Sequence, residues 1–556
     1  MQLNGSDIIM ECLLEQGVDT VFGYPGGAVL NIYDALYKYR DRIRHIETSH
    51  EQGAAHAADG YARASGKTGV VIATSGPRAT NLVTGIATAY MDSIPMVAIT
   101  GTVGRSLLGL DSFQEVDITG VTMPITKHNY IVKDIRQLAD TIREAFYLAQ
   151  EGRRGPVLVD IPKDISAQVT EYEPKAPVCP PLPVGHSQRE IANVAELLSK
   201  ARRPFLYLGG GVMAAEGSAA AKELAERLDA PVACSLMCQG GFDQHNRRYM
   251  GMLGMHGTKV SALALKNCDL FVAIGTRFSD RVLCNASTFA THCKIVQIDI
   301  DPAEIDKNIL VDSKLCGDAR LIMEQLLENL PQQHHEEWMK QVDAWQQEYP
   351  LVQKNGETDY PTPQYVLETL DRLTDGEAIL TTEVGQHQMW AAQFYRFRHT
   401  RQFLSSGGLG TMGYGLGASI GAQLACPEKQ VINIAGDGSF HMNCNELSTA
   451  SKYGIPVIEL LFNNQVLGMV RQWQKLFYGG RFSQTTLEKK TNYELLAQAF
   501  GVQAMTIRTK EDVEPVLTAA LRAEGPVLIN CLTDPDCNVL PMVPAGASAE
   551  EPLLEM

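Results

Sequence analysis

The sequence has 556 residues, which is too long for one hydrophobic core, so we expect two to four domains. Its 45% hydrophobic and 20% charged residues are typical of a globular protein, and the net charge of −16 argues against nucleic acid and membranes as partners. No apolar run reaches the ~20 residues that a membrane-spanning helix needs. The twelve cysteines are scattered without a CxxC pair, which is typical of reduced thiols, so we expect a cytoplasmic protein.

Two proline-rich segments divide the chain. Residues 167–188 and 331–363 combine prolines with little hydrophobic periodicity, as interdomain linkers do, and the second also shows some helical pattern. The segments between and around them alternate short apolar runs with helical patterns. This alternation is typical of doubly wound parallel sheets, so we predict three α/β domains. The three predicted domains and a C-terminal tail are residues 1–166, 189–330, 364–540 and 541–556.

The outer two segments are related by a weak internal repeat. With an offset of 361 residues, the apolar run 70–76 falls on residues 431–437, and Gly60 falls on Gly421. Both segments then have the pattern of strand–loop–helix–strand units with one topology. Because parallel sheets bind ligands beyond the carboxyl ends of their strands, we expect the corresponding loops to form binding sites.

The most informative motif is Gly-Asp-Gly at residues 436–438. It follows the apolar run 431–435, and Asn464 follows the next apolar run, 456–462, so both polar tips lie at one sheet edge. Glycines let the backbone approach a ligand closely, and Mg²⁺ prefers oxygen ligands that it shares with water and phosphates. The motif therefore predicts a Mg²⁺ site for a cofactor that carries a diphosphate.

The middle segment has apolar runs with polar or glycine-rich ends. Residues 204–211 enter a glycine turn, and the runs 268–277 and 294–301 end in polar residues. This pattern is typical of dinucleotide-binding domains, although the GxGxxG fingerprint is missing. On composition alone, a purely structural α/β domain is the better interpretation of this segment.

Longer motifs identify a family. They are FGYPGG (22–27), HEQGAAHAADGYARASGK (50–67), FQEVDITG (113–120), ITKHN (125–129), LVDIPKD (158–164), LGMHG (253–257), EVGQHQMW (383–390) and the GDGSF to NN signature (436–464). With these motifs the chain, from about Gly5 to about Leu540, resembles the catalytic subunit of acetohydroxyacid synthase, also called acetolactate synthase. That enzyme depends on thiamine diphosphate, and the resemblance covers nearly the whole sequence.

The resemblance implies a fold, a reaction and partners. The three domains would bind the pyrimidine of thiamine diphosphate, FAD, and the diphosphate with Mg²⁺, in that order. Pyruvate would be decarboxylated, and its two-carbon unit would add to pyruvate or 2-ketobutyrate to give 2-acetolactate or 2-aceto-2-hydroxybutyrate. This is the first common step of branched-chain amino-acid biosynthesis. We also expect a homodimer or homotetramer, with the cofactor between subunits, and a separate small regulatory subunit as a further partner.

Several residues match the thiamine diphosphate site of the family. A lone Glu near a helix start is usually a partner of the helix dipole, but Glu51 matches the glutamate that activates the pyrimidine ring and is the first catalytic candidate. Met412 would pack beneath the cofactor and hold it bent. The implied metal ligands are Asp437, Asn464 and the carbonyl of Val466. The other implied contacts are Val384, Gly385, Gln386, His387, Gly410, Gly436, Gly438, Ser439, Asn464, Gly468 and Met469.

Other residues match the substrate and flavin sites. Arg281 corresponds to the residue that binds the acceptor's carboxylate, for which a guanidinium is better suited than a lysine. Trp473 corresponds to the tryptophan that contacts the acceptor's alkyl group. Phe113 would bind substrate, and Gln114 and Lys163 are further catalytic candidates in the same pocket. The implied FAD contacts are Arg153, Gly209, Gly210, Gly211, Met255, His256, Gly275, Arg277, Asp299 and Asp318.

Two positions depart from the family pattern. Arg78 stands in the loop 75–81 where the family has glycine, and Ser279 stands where it commonly has Asp. A glycine in such a loop suggests positive φ or a close approach, so Arg78 could strain the loop or block the site. We expect Arg78 to point to solvent; contact with an anionic substrate and weakened catalysis are the alternatives.

Three other functions remain open. A catabolic acetolactate synthase would perform the same chemistry without flavin, but the motifs at residues 253–257 and 277–281 favour the form that binds FAD. A flavoenzyme resembling pyruvate oxidase would pass the electrons to FAD, and Gln114 and Trp473 argue against it. A non-catalytic homologue is suggested by Arg78.

Overall fold

The structure is a computed structural model that describes residues 1–183, 185–353, 358–488 and 490–555. Residues 184 and 354–357 of the predicted linkers, 489 of the third domain and 556 of the tail lie outside the described residues. In the described part, three parallel six-stranded sheets are flanked by helices, which confirms the predicted α/β class. None of the described helices has both the length and the apolar composition needed to cross a membrane.

The first sheet belongs to the N-terminal domain. Its strands, in chain order, are Thr20–Gly23, Arg44–Glu47, Gly69–Ala73, Met96–Thr102, His128–Ile131 and Pro156–Pro162. Their spatial order is 2-1-3-4-6-5 in that numbering. The two central strands are buried along their whole length, as in parallel sheets covered on both faces. The helices are Gly5–Glu15, Leu30–Lys38, Glu51–Ser65, Pro77–Asn81, Val83–Asp92, Ile118–Thr122, Leu138–Gln150 and Lys163–Ala167.

The second sheet belongs to the central domain. Its strands are Pro204–Leu208, Val232–Cys234, Tyr249–Met252, Leu270–Ile274, Lys294–Asp299 and Ser313–Cys316. Their spatial order, 3-2-1-4-5-6, is that of dinucleotide-binding folds. The strand order therefore favours a nucleotide-binding role for the central domain, whereas composition alone favoured a purely structural one. The helices are Gln188–Lys200, Gly210–Ala214, Ser218–Arg227, Lys259–Asn267, Asp280–Leu283 and Ala319–Asn329.

The third sheet belongs to the C-terminal domain. Its strands are Ile379–Thr382, Phe403–Leu404, Val431–Gly436, Ile458–Asn463, Gln503–Ile507 and Val527–Leu532. Their spatial order is again 2-1-3-4-6-5. The helices are Pro363–Thr374, Gln386–Phe394, Gly415–Ala425, Asp437–Phe440, Leu447–Tyr453, Gly468–Phe477, Tyr493–Ala499 and Lys510–Leu521.

The shared strand order of the first and third sheets confirms the predicted repeat. Helix Glu51–Ser65 of the first domain packs directly against helix Gly415–Ala425 of the third. A Cβ atom on Gly60 would lie 2.1 Å from the carbonyl oxygen three residues before Gly421, and a Cβ atom on Gly421 would lie 1.9 Å from the carbonyl oxygen three residues before Gly60. The two domains therefore meet through equivalent positions of the repeat.

The first predicted linker contains structure that the sequence did not indicate. The strand Val169–Glu171 pairs antiparallel with Gln2–Asn4, so the chain returns to the N-terminal domain after helix Lys163–Ala167. The second predicted linker contains the helix Glu336–Glu348, in agreement with the helical pattern in that segment.

Candidate active site

The Gly-Asp-Gly motif lies where two neighbouring strands end. Strand Val431–Gly436 leads into Asp437, which is 1% exposed. Strand Ile458–Asn463 runs parallel beside it and is followed by Asn464. The Oδ1 atom of Asn464 accepts a hydrogen bond from the backbone N–H of Val466 at 3.2 Å, which holds this turn. The predicted oxygen ligands thus lie at one edge of the sheet.

Two glycines let the backbone approach neighbouring side chains closely beside this edge. A Cβ atom on Gly468 would lie 1.9 Å from Oε1 of Gln386, and one on Gly436 would lie 2.6 Å from Nδ1 of His387. Gly468 and Gln386 are also the first residues of two helices, whose N-termini therefore converge here. Converging helix N-termini offer backbone N–H groups and positive ends of dipoles, which suit a diphosphate.

We use the name cradle for the place where the helices that begin at Gln386 and Gly468 meet. Two of its buried polar atoms have no hydrogen-bond partner among the described residues. They are Oε1 of Gln386 and Nε2 of His387. Burial lowers the pKa of His387 to about 3, so its imidazole is neutral. Because buried polar groups nearly always have partners, these two atoms fit a polar ligand: the imidazole nitrogen can donate to an anion, and the amide oxygen can accept from a donor such as a water molecule.

A buried carboxyl group that the sequence analysis missed supports the loop above the cradle. Glu383 accepts hydrogen bonds from the backbone N–H of Gly413 at 2.6 Å and from Oγ of Ser439 at 2.8 Å. Burial raises the pKa of Glu383. These hydrogen bonds place the loop that contains Gly410 and Met412 beside the segment that contains Asp437. Glu383 opens the EVGQHQMW motif, so the motif contained it but did not reveal its role.

Glu51 lies on the N-terminal domain at the start of its helix and is 3% exposed. Its Oε1 accepts a hydrogen bond from Nη1 of Arg78 at 3.0 Å, and its Oε2 accepts one from Nδ2 of Asn81 at 2.9 Å. The prediction that Arg78 points to solvent is therefore wrong. The expected strain is also absent, because Arg78 lies in the short helix Pro77–Asn81. Asn81 belongs to the same loop motif, but no role was assigned to it.

A cavity of about 490 Å³ lies between the domains. Most of the residues predicted to contact FAD line it, namely Arg153, Gly210, Gly211, Met255, His256, Gly275, Arg277, Asp299 and Asp318. From the C-terminal domain it is lined by Val384, Gly385, Gly410, Met469 and Trp473, and Arg281 and Ser279 also face it. Gly209 does not line it; a Cβ atom there would lie 2.1 Å from the carbonyl oxygen of Gly275, so this glycine lets two strand ends approach.

The predicted substrate residues Arg281 and Trp473 meet in this cavity. The guanidinium carbon of Arg281 lies 5.7 Å from the centroid of the Trp473 ring, and its Nη1 lies 3.2 Å from Sδ of Met255. Burial, followed by the charge of Arg281, lowers the pKa of His256 to about 4. A cation beside an indole ring and a neutral imidazole suits an acid with a short alkyl group.

Charged groups surround the predicted flavin residues. Burial raises the pKa of Asp299 to about 6. Asp318 caps helix Ala319–Asn329. The guanidinium of Arg153 pairs with Asp301 at 3.2 Å and with Glu304 at 2.9 Å. Arg153 thus comes from the N-terminal domain to contact the central one.

The remaining predicted residues do not line the cavity. On the N-terminal domain these are Glu51, Phe113, Gln114 and Lys163, and Phe113 is 87% exposed. On the C-terminal domain they are Gln386, His387, Met412, Gly436, Asp437, Gly438, Ser439, Asn464, Val466 and Gly468. The predicted site residues of a single chain therefore do not all line one cavity.

Comparison with known proteins identifies the family. Three profiles described as thiamine pyrophosphate enzyme match the chain: the N-terminal TPP binding domain over residues 3–121, the central domain over 191–326 and the C-terminal TPP binding domain over 383–531. An acetolactate synthase large subunit from Porphyra purpurea is 44% identical over 98% of this chain and 94% of its own length. The chain belongs to the acetolactate synthase family of thiamine pyrophosphate enzymes.

Further members of the acetolactate synthase family match over the same extent. An acetolactate synthase from Mycobacterium bovis is 45% identical over 99% of this chain and 91% of its own length. An acetolactate synthase large subunit from Cyanidium caldarium is 41% identical over 99% of this chain and 96% of its own length. The resemblance drawn from the motifs is confirmed, and with it the predicted thiamine diphosphate dependence.

Proposed function

We propose that the protein is the catalytic subunit of an acetohydroxyacid synthase. It decarboxylates pyruvate and transfers the two-carbon unit to pyruvate or 2-ketobutyrate, giving 2-acetolactate or 2-aceto-2-hydroxybutyrate for branched-chain amino-acid biosynthesis. The observation that carries the proposal is the convergence of two helix N-termini, at Gln386 and Gly468, beside the Asp437 edge of the matched TPP binding domain, where backbone N–H groups suit a diphosphate. Relatives named acetolactate synthase over the full length support the choice of reaction.

The C-terminal domain holds the diphosphate and a Mg²⁺ ion. Asp437, Asn464 and the carbonyl of Val466 are the oxygen ligands of the ion. The other thiamine diphosphate contacts are Gln386, His387, Gly436, Gly438, Ser439, Gly468 and Met469 beside the diphosphate, with Val384, Gly385, Gly410 and Met412 at the rings. When bound, thiamine diphosphate would supply a nucleophilic carbon and an electron sink for the decarboxylation of the ketoacid.

The chain's own residues move one proton and orient the acceptor. Glu51 exchanges a proton with a ring nitrogen of the cofactor through its carboxyl oxygen, and its burial keeps water away from that exchange. Arg281 binds the carboxylate of the second 2-ketoacid through its planar guanidinium. Trp473 packs against the alkyl group of that acid. Phe113, Gln114 and Lys163 complete the pocket.

The central domain binds FAD in the cavity between the domains. The strand order 3-2-1-4-5-6 supports a dinucleotide, and Gly275 and Asp299 lie at the carboxyl ends of its strands. Contacts from Arg277, Asp318 and the other cavity residues named above complete the flavin site. The functional domains are residues 1–166, 189–330 and 364–540.

The active protein is a homodimer or homotetramer. Support comes from the separation of Glu51, Phe113, Gln114 and Lys163 from the cavity that contains Trp473, and from the high exposure of Phe113. A second subunit can bring these residues together. We place the enzyme in the cytoplasm, with a separate small regulatory subunit as a further partner.

A product assay tests the function. The purified chain is incubated with pyruvate, 2-ketobutyrate, thiamine diphosphate, Mg²⁺ and FAD. We expect both acetohydroxy acids and CO₂, and a yellow protein after purification. Acetate or acetyl phosphate with consumption of oxygen would instead indicate a flavin oxidase, a colourless active protein would indicate the flavin-free form, and no turnover would indicate a non-catalytic homologue.

A further inference from the structure

Both oxygens of the Glu51 carboxylate are occupied by donors from one short helix. Nη1 of Arg78 lies 3.0 Å from Oε1, and Nδ2 of Asn81 lies 2.9 Å from Oε2. In the proposed function, on which this inference rests, the same carboxylate binds the pyrimidine ring of thiamine diphosphate. We propose that Arg78 competes with the cofactor for Glu51, so that this chain binds thiamine diphosphate more weakly than a chain with glycine at position 78.

Arg78 is held in place from two sides. Besides its bond to Glu51, its guanidinium carbon lies 4.2 Å from the centroid of the Tyr24 ring. The aromatic face attracts the cation through its partial negative charge, and the carboxylate attracts it through a charge-assisted hydrogen bond. The side chain of Arg78 is nevertheless 36% exposed. It can therefore leave Glu51 for solvent when another donor arrives, at a cost that the cofactor must offset.

The charges around Glu51 explain why the pairing forms. Glu446 of the C-terminal domain accepts hydrogen bonds from the backbone N–H groups of Ser49 and His50 at 3.1 and 3.0 Å. Burial raises the pKa of Glu446 to about 7, and the nearby charge of Glu51 adds to this rise. Two acidic groups thus share a buried region, and the guanidinium of Arg78 supplies a compensating positive charge to one of them.

The pairing also opposes the chemistry of Glu51. The proposed role requires a carboxyl oxygen of Glu51 to face a nitrogen of the cofactor ring, and Nη1 of Arg78 already lies at Oε1. A glycine at position 78 has no donor on a side chain and leaves Oε1 of Glu51 to the ligand. Arg78 is therefore a residue that acts on the cofactor through Glu51.

Calorimetric titration of the full-length protein with thiamine diphosphate at fixed Mg²⁺ tests the competition. We expect Arg78→Gly to bind the cofactor about tenfold more tightly than the wild type, the effect of removing one such interaction. Arg78→Ala serves as a second variant, because alanine supports the helix better than glycine. Arg136→Gly is the matched control: Arg136 forms an exposed ion pair with Asp134 in the same domain, and its loss should leave the affinity unchanged.

A double-mutant cycle shows whether Arg78 acts through Glu51. In the Glu51→Gln background, the charged pair is already lost, so adding Arg78→Gly should change the affinity by less than about twofold. Equal or weaker binding by both Arg78 variants, or a full tenfold gain in the Glu51→Gln background, would overturn the proposal. If neither the wild type nor the variants bind thiamine diphosphate, the proposed function itself fails; if all bind it equally, only the competition does.

Discussion

Gly60 and Gly421 occupy reciprocal positions in the contact between the first and third domains. The former faces the carbonyl oxygen of Ala418, and the latter faces that of Ala57. The offset of 361 residues that relates the two glycines also relates the two alanines. The helices thus cross around a local pseudo-twofold axis, and both need backbone without a side chain at the crossing.

This crossing predicts a specific loss of stability. A Cβ atom on residue 421 would lie 1.9 Å from a backbone oxygen, so we expect Gly421→Ala to force the helices apart and lower the free energy of unfolding by about 1–3 kcal/mol. Gly525→Ala is the control, because no atom lies within 4 Å of a Cβ there. Thermal unfolding measured by circular dichroism distinguishes the two; equal melting temperatures for both variants would contradict the tight crossing.

Asp160 predicts a pH dependence of stability. Its carboxyl group is 3% exposed in strand Pro156–Pro162 and accepts a hydrogen bond from Oγ1 of Thr100 at 2.7 Å. Burial raises its pKa from 3.8 to about 7. Because the folded state then binds the proton more tightly than the unfolded state, this group's contribution to stability falls as the pH rises from about 4 to about 7.

We therefore expect Asp160→Asn to be more stable than the wild type above pH 7, by about 2–4 kcal/mol, and to lose this advantage near pH 4. Denaturant unfolding between those pH values measures the difference. Asp111→Asn, on an exposed loop, should change stability by less than about 0.5 kcal/mol at any of these pH values. A constant difference between wild type and Asp160→Asn across the range would show that the carboxyl group does not titrate there.

The proposed position of Trp473 predicts that this residue influences which ketoacid is preferred as the acceptor. If its indole ring packs against the alkyl group of the second ketoacid, replacing it with leucine removes contact with the additional methylene of 2-ketobutyrate. A methylene in an apolar pocket is worth about 1–3 kcal/mol, so we expect Trp473→Leu to lower the preference for 2-ketobutyrate over pyruvate by about tenfold or more. The ratio of the two products at equal ketoacid concentrations is the measurement, and an unchanged ratio would remove Trp473 from the acceptor site.

The proposed role of Asp437 as a Mg²⁺ ligand predicts that its carboxylate is needed for tight binding of thiamine diphosphate. Replacing its carboxylate by an amide removes one negative charge from the proposed ligands of the ion, so Asp437→Asn should bind thiamine diphosphate about tenfold or more weakly in calorimetry with Mg²⁺ present. Glu524→Ala removes an exposed carboxylate from the same domain and should bind as the wild type does. Unchanged binding by Asp437→Asn would place the ion elsewhere.

Local patterns predicted most of the fold and part of the site. Apolar runs that end in polar residues placed Asp437 and Asn464 at one sheet edge, because neighbouring parallel strands end together. The repeat offset predicted the shared topology of two domains. The strand Val169–Glu171 was missed because it has three residues and its partner lies at the other end of the domain.

The partner of Arg78 could not be predicted from the sequence. A long side chain pairs with whatever the tertiary fold brings near it, and here that is Glu51, on a different helix, together with the ring of Tyr24. Glu383 was missed for a similar reason, since its hydrogen-bond donors Gly413 and Ser439 lie later in the chain, on a loop and on the short helix Asp437–Phe440. Only the tertiary structure shows which hydrogen-bond donor reaches a given buried carboxyl group.

Because we propose that the cofactor lies between subunits, we expect Glu51 of one subunit and Asp437 of another to act on the same cofactor. Glu51→Gln and Asp437→Asn chains carrying different affinity tags can be produced together and purified as mixed dimers. At a thiamine diphosphate concentration too low to saturate Asp437→Asn, each variant alone should be nearly inactive. The mixed dimer should recover about half of the wild-type acetolactate formation, because one of its two sites is intact. A mixed dimer as inactive as the single variants would show that Glu51 and Asp437 of different subunits do not share a site.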